Sequence, residues 1–429
     1  IPASTPGYRL RRPIGHVKTH LVDFEVEITF IMLVKNSNEE TAYEIREIVK
    51  QADRIVADNY PVEAHTVQTT DGYILTLFRI PYSLRTQNAH ISNKTVLFLQ
   101  HGLISSSDGW ILVGPNQALP YLAADAGYDV WLGNFRGNTY SRRHISRSPE
   151  KHAFWRFSFH ELAIYDLPAM FDYVLNTTRS GSLHYVGHSM GTTTIFVLMS
   201  LMPWYMERIR TAHLLAPVAY VDHQGAPLTR FTAPILGTPS PLTKALSDNN
   251  ILGYNEFLSF FGAETCANEV VEETICANLL FIYTGFDPVN TNYSLIPEII
   301  KTHPAGGSTN QIIHYMQEYV SGHFRQYDHG FKENILYYSQ PTPPDYPLEN
   351  VRASPPLQIY YADNDLQSSP IDVFRLLPRM GKNIELRHIN LTTWNHLDYM
   401  WAFNVKKVIN KIILSYISEY ESERYRVRE

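Results

Sequence analysis

The pentapeptide Gly187-His188-Ser189-Met190-Gly191 carries the most specific chemistry in this chain. It fits Gly-x-Ser-x-Gly, in which a sharp turn between a strand and a helix lifts a reactive serine above a sheet. An apolar strand is predicted before the motif at 183–186, and an apolar helix after it at 192–202. A side chain at either glycine would collide with neighbouring backbone, so the turn demands glycine there. The motif with these flanks predicts a serine nucleophile, the alternative being an ordinary glycine-rich turn.

A serine hydroxyl is a poor nucleophile at neutral pH and needs a general base and an orienting acid. On a strand–turn–helix of this kind the acid and then the histidine follow later in the chain, in loops after later strands. Asp365 follows a predicted strand at 357–361, and His396 follows another at 384–389. Ligand sites in open sheets form at such carboxyl ends of strands. We therefore predict Ser189 as nucleophile, His396 as base and Asp365 as acid.

Other residues near these positions have alternative or supporting roles. Asp363 shares the loop of Asp365 and is the second candidate for the acid. Asp398, close to His396, is predicted to begin a helix rather than to join the triad. An oxyanion needs two backbone N–H donors, which we predict at Met190, after the nucleophile, and at Leu103, in a loop after an early strand.

Strands and helices alternate along most of the chain, which predicts an α/β fold with a mostly parallel sheet and helices on both faces. Residues 1–59 are expected to form an N-terminal extension and helix, and 60–217 with 352–429 the two parts of the core. The predicted strands are 64–68, 73–80, 95–99, 128–132, 183–186, 212–216, 357–361 and 384–389. The predicted helices are 39–56, 117–126, 157–175 and 192–202.

Residues 218–351 interrupt this alternation. They contain proline-rich connections and aromatic, apolar segments such as 255–261 and 278–283. A crossover between parallel strands needs far fewer residues. The interval predicts an inserted, mainly helical cap or lid over the strand ends. An unrelated second domain is the alternative, but the return of sheet-like strands at Leu357 favours the insertion.

Composition excludes several classes of partner. The formal net charge of −6 and the absence of a basic block argue against nucleic acid. No apolar run is long enough to span a membrane. A short apolar run at 28–34 behind basic residues has some character of a signal peptide, but a strand or loop is favoured, so no signal peptide is clearly present. The oligomeric state is left open.

Cysteine and asparagine usage bears on the compartment. The two cysteines, Cys266 and Cys276, are too few for a zinc site. They could close a small disulfide loop or remain two buried thiols. Four Asn-x-Ser/Thr glycosylation motifs favour the secretory route, with a secreted or lysosomal destination; they begin at Asn93, Asn176, Asn292 and Asn390.

Several blocks of sequence together resemble the acid lipase family, which includes gastric and lysosomal acid lipases and many insect lipases. The resemblance extends from about Tyr60 to about Ile412. The blocks that carry it are Leu99-Gln100-His101-Gly102-Leu103, Gly127-Tyr128-Asp129-Val130-Trp131-Leu132-Gly133-Asn134, Arg136-Gly137-Asn138, Tyr185-Val186-Gly187-His188-Ser189, Asp166-Leu167-Pro168-Ala169, Leu215-Ala216-Pro217-Val218-Ala219, His303-Pro304-Ala305-Gly306 and Asn395-His396-Leu397-Asp398.

This resemblance implies an α/β-hydrolase core with a cap, hydrolysis of lipid carboxylic esters at a lipid–water interface, and neither cofactor nor metal. It implies the same triad and oxyanion donors, and a Cys266–Cys276 disulfide in the cap. Two positions depart from the family. Met190 stands where gastric lipases have glutamine, and Thr284 stands where many members have a third cap cysteine. Neither change removes a catalytic group.

The alternatives to a lipase are a non-catalytic lipid-binding protein on the same fold and a lipid acyltransferase. A carrier of this kind usually lacks a triad member, whereas all three are present here. Acyl transfer to an alcohol would use the same residues as hydrolysis. The preferred ester, triacylglycerol or cholesteryl ester, is not indicated by the sequence.

Overall fold

A single sheet of nine strands organises the part of the chain that the computed structural model describes, residues 39–251, 277–353 and 355–426. Its strands are β1 Glu63–Gln68, β2 Tyr73–Ile80, β3 Val96–Gln100, β4 Asp129–Gly133, β5 Arg143–His144, β6 Leu183–His188, β7 Ile209–Leu215, β10 Leu357–Tyr361 and β11 Ile384–His388, while β8 Asn250–Ile251 and β9 Gly307–Ser308 form a separate pair. The order in the sheet is β1-β2-β4-β3-β6-β7-β10-β11, with β5 paired to β2. The pairings β1–β2, β2–β4 and β2–β5 are antiparallel, and those from β4 to β11 are parallel.

Helices cover both faces of this sheet. The α-helices are α1 Glu39–Ala57, α2 Leu119–Asp125, α3 Phe159–Glu161, α4 Leu167–Thr178, α5 Met190–Leu201, α6 Pro227–Leu236, α7 Pro241–Leu246, α8 Ala277–Thr284, α9 Ile296–Thr302, α10 Thr309–Ser321, α11 Phe331–Tyr338, α12 Pro370–Leu376, α13 Asp398–Trp401 and α14 Lys411–Arg426. Short 3₁₀ turns lie at Asn88–His90, Ser107–Trp110, His152–Phe154, Pro203–Arg208, Tyr293–Leu295, Leu348–Ala353 and Leu377–Arg379, and π turns at Leu162–Asp166 and Lys406–Asn410.

Two buried apolar clusters account for the sheet's stability. Along β3, Leu97 and Leu99 enter one cluster and Phe98 the other, because successive side chains of a strand point to opposite faces. Helices α4 and α5 pack on the Phe98 face, and α1, α2 and α14 pack on the other. Every residue of β3, β4 and β6 is buried. Coverage of both faces explains why these strands show no alternation of buried and exposed residues.

The predicted fold class is confirmed, and the predicted core strands and helices lie within three residues of their observed ends, with one correction. The helix predicted over 157–175 is divided into α3 and α4 by the π turn Leu162–Asp166. Pro168, which follows this turn, cannot donate a backbone hydrogen bond. The turn also places the buried Asp166 beside Arg136, whose Nε donates a hydrogen bond to Asp166 Oδ1 at 2.7 Å. A local periodicity could not reveal that distant partner.

The interval predicted as a cap contributes α6 to α11 and the β8–β9 pair. The apolar segment at 278–283 is helical as predicted, within α8. The segments 1–38 and 252–276 lie outside the described residues, and with them the apolar run at 28–34, the helix predicted at 255–261 and both Cys266 and Cys276. Within the described residues, no helix combines the length and the apolar character that a bilayer span would need.

Candidate active site

Ser189 lies at the sharp turn between β6 and α5. Its backbone has φ +53° and ψ −118°, a conformation that L-residues rarely adopt. The turn is tied to the next strand because the Ser189 N–H donates to the Leu215 carbonyl oxygen, 3.0 Å away. The hydroxyl is thereby raised above the carboxyl end of the sheet and faces a cavity.

The glycines that flank this turn are required by close approach of backbone. A Cβ on Gly191 would lie 2.6 Å from the carbonyl oxygen of Gln100 in β3. A Cβ on Gly187 would lie 2.7 Å from the Tyr185 ring and 3.0 Å from the Gly191 backbone. Contacts this short are excluded for real side chains, so the motif is a consequence of how tightly β6, α5 and β3 pack.

The structure brings Ser189, His396 and Asp365 into one chain of hydrogen bonds. Ser189 Oγ lies 2.8 Å from His396 Nε2, and His396 Nδ1 lies 2.9 Å from each Asp365 oxygen. Asp365 Oδ1 also accepts the backbone N–H groups of Gln367 and Ser368, both at 2.9 Å. With its Nδ1–H donated to a carboxylate, the ring presents the Nε2 lone pair to the serine hydroxyl. This arrangement can deprotonate Ser189 as it attacks an electrophile.

The neighbouring carboxylates have other partners. Asp363 is exposed, and its Oδ2 lies 3.1 Å from Nε2 of His388 rather than on the His396 ring. Asp398 is the first residue of α13, where it accepts the Asn395 backbone N–H at 2.6 Å. The geometry thus favours Asp365 over Asp363 as the orienting acid.

The loop predicted to supply an oxyanion donor is held by buried polar groups. Leu103 lines the same cavity as Ser189, and Met190 begins α5, whose first N–H groups have no intrahelical acceptor. His101 Nδ1–H donates to the Gly102 carbonyl at 2.8 Å, and its Nε2 accepts the Phe135 N–H at 3.1 Å. Burial lowers the pKa of His101 to about 4, so the neutral ring can make both bonds.

His188, inside the serine motif, makes a contact that the sequence analysis missed. Its Nε2–H donates to the backbone carbonyl of His396 at 2.8 Å. Burial, followed by the electrostatic effect of the nearby His396 ring, lowers the pKa of His188 to about 3. The ring is therefore neutral, and its one N–H is used to hold the histidine loop against the serine turn. The sequence marks His188 only as the first variable residue of the Gly-x-Ser-x-Gly motif, which does not predict this contact.

A largely apolar cavity of about 220 Å³ opens at Ser189. Residues of the core, of α9 and of α10 form its walls, among them Ile299, Ile300, Ile312, Met316, Met400 and Trp401. Polar side chains also line it besides the Ser189–His396 pair, among them Ser105, whose Oγ lies 2.9 Å from His303 Nε2. Such a site suits an apolar ligand that carries one reactive polar group.

The buried carboxyl group of Asp398 predicts a dependence of folding stability on pH. Burial, and then a hydrogen bond with the Asp287 carboxyl, raise the pKa of Asp398 well above its usual range. The folded protein therefore retains a proton that the unfolded chain loses near pH 4. The resulting stabilisation is complete below about pH 4 and is lost as the pH rises through the raised pKa. We expect an Asp398→Asn variant, which keeps the shape without the ionisation, to lose less thermal stability between about pH 5 and about pH 8.

Thermal unfolding across this pH range measures the effect. Glu419→Gln, which neutralises an exposed carboxylate on α14, is the matched control and should parallel the unchanged protein. Equal slopes for the Asp398→Asn variant and the unchanged protein would contradict the assignment.

Among the described residues, one group of side chains has the composition of a metal site. The ligand atoms of Asp222, His223 and Asp372 lie within 4.8 Å of one another. Arg375 already pairs with Asp222 and lies 3.4 Å from an Asp372 oxygen. Its guanidinium supplies the positive charge that these carboxylates need.

Two family descriptions match this chain. A partial alpha/beta-hydrolase lipase region matches residues 52–114, and the alpha/beta hydrolase fold matches residues 95–236. Among solved structures, a soluble variant of the monoglyceride lipase of Saccharomyces cerevisiae, bound to a substrate analogue, is similar with a TM-score of 0.50 and 14% identity. That alignment covers 82% of this chain and 94% of the other, and it supports the fold alone.

Several lipases have a much higher sequence identity to this chain than that structure does. The chain is 42% identical over 379 residues to Lipase 3 of Drosophila melanogaster, covering 88% of this chain and 94% of that protein. It is 40% identical over 362 residues to gastric triacylglycerol lipase of Bos taurus, covering 84% and 89%. With the human gastric enzyme the identity is 40% over 363 residues, covering 84% and 88%.

Proposed function

Since this chain belongs to the acid lipase family of α/β-hydrolases, we propose that Ser189, His396 and Asp365 are its catalytic triad. The chain is a carboxylic ester hydrolase, a lipase acting on neutral lipids. One observation carries the assignment of the triad: the continuous hydrogen bonds from Ser189 through His396 to Asp365 lie at the mouth of an apolar cavity.

The first half of the reaction forms an acyl-enzyme. Ser189 Oγ attacks the ester carbonyl carbon while His396 Nε2 takes the hydroxyl proton. The backbone N–H groups of Leu103 and Met190 stabilise the negative oxygen of the tetrahedral intermediate. His396 then gives the proton to the departing alcohol oxygen, and the carbon–oxygen bond of the ester breaks.

The second half returns the enzyme to its starting state. Water loses a proton to His396 and attacks the acyl carbon, and Ser189 leaves with that proton as the fatty acid is released. Asp365 stays ionised throughout, holding the His396 tautomer and stabilising the imidazolium that forms twice in each cycle.

The cavity supports a long-chain lipid ester, triacylglycerol or cholesteryl ester, as the substrate. Aliphatic walls bury an acyl chain at a gain of about 0.8 kcal/mol per methylene group. The test is the release of fatty acid from emulsions of both esters by the purified protein, across acid to neutral pH. If the protein releases fatty acid from neither ester, the proposal is wrong.

A product assay separates hydrolysis from acyl transfer. With triacylglycerol and an added long-chain alcohol, a lipase yields free fatty acid, whereas an acyltransferase yields mainly the new ester. We propose hydrolysis as the main reaction, in keeping with the triacylglycerol lipases among the relatives.

Exposed apolar side chains on two helices that line the cavity favour contact with a lipid surface. Helix α6 contributes Thr229 to the cavity and exposes Phe231, while α8 contributes Leu280 and Tyr283 and exposes Ile282. Phe231 is 74% exposed. Apolar patches that surround a binding site usually mark an interaction surface.

We therefore expect a Phe231→Asp/Ile282→Asp double variant to lose about tenfold of its activity on emulsified lipid, since two charges must then be brought to an apolar surface. Hydrolysis of a water-soluble short-chain ester should be unchanged. Trp204→Asp is the matched control, because Trp204 is also exposed. It lies just after the C-terminus of α5, whereas Ser189 precedes the N-terminus of the same helix. Equal losses in both variants, or on both substrates, would contradict a specific lipid-facing surface.

We also propose that residues 218–351 are a cap and that the Cys266–Cys276 disulfide lies within it. The cap is supported by its position between β7 and β10 and by the share of the cavity wall that α8, α9 and α10 provide. The core on either side of it is then 60–217 and 352–429, preceded by the 1–59 extension.

We also propose that the protein passes through the secretory route and is secreted or lysosomal. Of the four glycosylation motifs, Asn93, Asn176 and Asn390 are exposed, and Asn292 is half-buried. An acceptor asparagine must be reachable by the transferase, so the three exposed positions support this route.

A further inference from the structure

The last two residues of α8 and the two residues that follow it, 283–286, contact both loops that carry the proposed acid and base. Four consecutive backbone carbonyls of this segment, which we term the strap, accept hydrogen bonds from those loops. The strap belongs to the interval between β7 and β10, whereas both loops follow core strands. One element of the interval therefore joins two separate parts of the proposed active site.

The acid loop makes three of these bonds. Gln367 Nε2 donates to the Tyr283 carbonyl at 2.7 Å, and the Leu366 N–H donates to the Thr284 carbonyl at 3.3 Å. Asn364, immediately before Asp365, donates its side-chain Nδ2 to the Phe286 carbonyl at 3.0 Å.

The histidine loop makes two more. The His396 N–H donates to the Thr284 carbonyl at 3.3 Å, so this oxygen accepts from both loops. Asn395, immediately before His396, donates Nδ2 to the Gly285 carbonyl at 3.0 Å. Asn364 Nδ2 also lies 2.7 Å from the Thr393 carbonyl and so links the two loops directly.

Glycine is required at the centre of the strap. Gly285 has φ +118°, and a Cβ there would lie 2.2 Å from the Asn364 carbonyl oxygen and 3.1 Å from the Asn395 Cβ. Only a residue without a side chain can approach both loops so closely. The strap is thus fitted to the two asparagines rather than merely near them.

We propose that Asn364 and Asn395 are positioning residues that set the Asp365–His396 geometry by anchoring both loops to the strap. Each asparagine is one peptide bond away from a triad member, and neither touches the reacting atoms. Without these anchors each loop can drift independently, and a displacement of about 1 Å at a reacting group costs on the order of a hundredfold in rate. This inference rests on the proposed triad.

The test compares Asn364→Ala, Asn395→Ala and the double variant with an Asn410→Ala control. Asn410 is also buried and donates Nδ2 to a backbone carbonyl, that of Gln117 at 2.8 Å, in another part of the core. Two experiments are made on each variant. The first gives kcat and KM for p-nitrophenyl butyrate, and the second gives the rate at which a small organophosphonate labels Ser189, with the labelled residue mapped by mass spectrometry.

We expect kcat and the labelling rate to fall by about ten- to a hundredfold in the double variant, with KM changed by less than about threefold. Asn410→Ala should lose thermal stability to a similar extent but keep its kcat. If the double variant labels at the unchanged rate, or if Asn410→Ala loses as much kcat, the positioning role is wrong. If Asn395→Ala does not fold, the Asn364→Ala variant alone provides the test, because Asn364 is only half-buried.

The same measurement separates this inference from the proposed triad. Labelling of the unchanged protein at a residue other than Ser189 would overturn the triad itself, whereas Ser189 labelling that is insensitive to both asparagines would overturn only the positioning role.

Discussion

A Ser189→Ala variant is expected to lose about 10⁴- to 10⁶-fold of kcat on any ester substrate. Without the nucleophile no acyl-enzyme forms, and only oxyanion stabilisation and substrate binding remain to assist attack by water. The loss corresponds to about 5–8 kcal/mol of activation free energy. Ester hydrolysis by the purified variant, with the acyl-enzyme monitored by mass spectrometry, measures the effect.

Ser189→Ala should leave the fold intact. The side chain makes one hydrogen bond to another side chain, that of His396, so its removal takes little from the packing of the turn. Ser200→Ala is the matched control, since Ser200 is a buried serine of α5, the helix that follows Ser189, and its hydroxyl donates to the Val197 carbonyl at 2.9 Å. Activity retained by Ser189→Ala, or an equal loss in Ser200→Ala, would rule out this nucleophile.

An Asp365→Asn variant is expected to lose about 10³- to 10⁴-fold of kcat. The carboxylate accepts the Nδ1–H of His396, whereas an amide that keeps its bonds to Gln367 and Ser368 presents NH₂ to the ring. The ring must then place its proton on Nε2, where it can no longer accept from Ser189. The shape of the site is preserved, so KM should change far less than kcat.

Asp363→Asn separates the two acids of the same loop. Asp363 is exposed and pairs with His388, so its amide variant should keep kcat within about twofold. Steady-state kinetics of both variants on one soluble ester decides between them. A larger loss for Asp363→Asn than for Asp365→Asn would reverse the assignment of the acid.

The serine turn could be predicted from sequence because its constraints are local. The two glycines are required by contacts with residues a few positions away or on the adjacent strand, and the flanking strand and helix have their own apolar patterns. The core strands were predictable for a similar reason, since burial on both faces of a parallel sheet favours apolar residues along each strand. Chain order then placed Asp365 and His396 in loops after later strands.

Local patterns were insufficient wherever distant segments meet. The sequence favoured Asp365 but kept Asp363, in the same loop, as a second candidate. The packed structure buries Asp365 beside His396 and leaves Asp363 exposed beside His388. The helix predicted at 157–175 is divided because Asp166 turns toward Arg136, on a different segment. The contact of His188 with the His396 carbonyl joins positions 208 residues apart.

By itself, the sequence determined the fold class, the sharp turn at Ser189, the chain order of the three proposed catalytic residues and the resemblance to a lipase family. The tertiary structure decided which carboxylate faces His396, which residues line the cavity beside Ser189, and how the strap at 283–286 joins the loops of Asp365 and His396. The reason is the range of the interactions. Turn sterics and apolar periodicity act between near neighbours, whereas hydrogen bonds across the site depend on where separate loops meet once the sheet has formed.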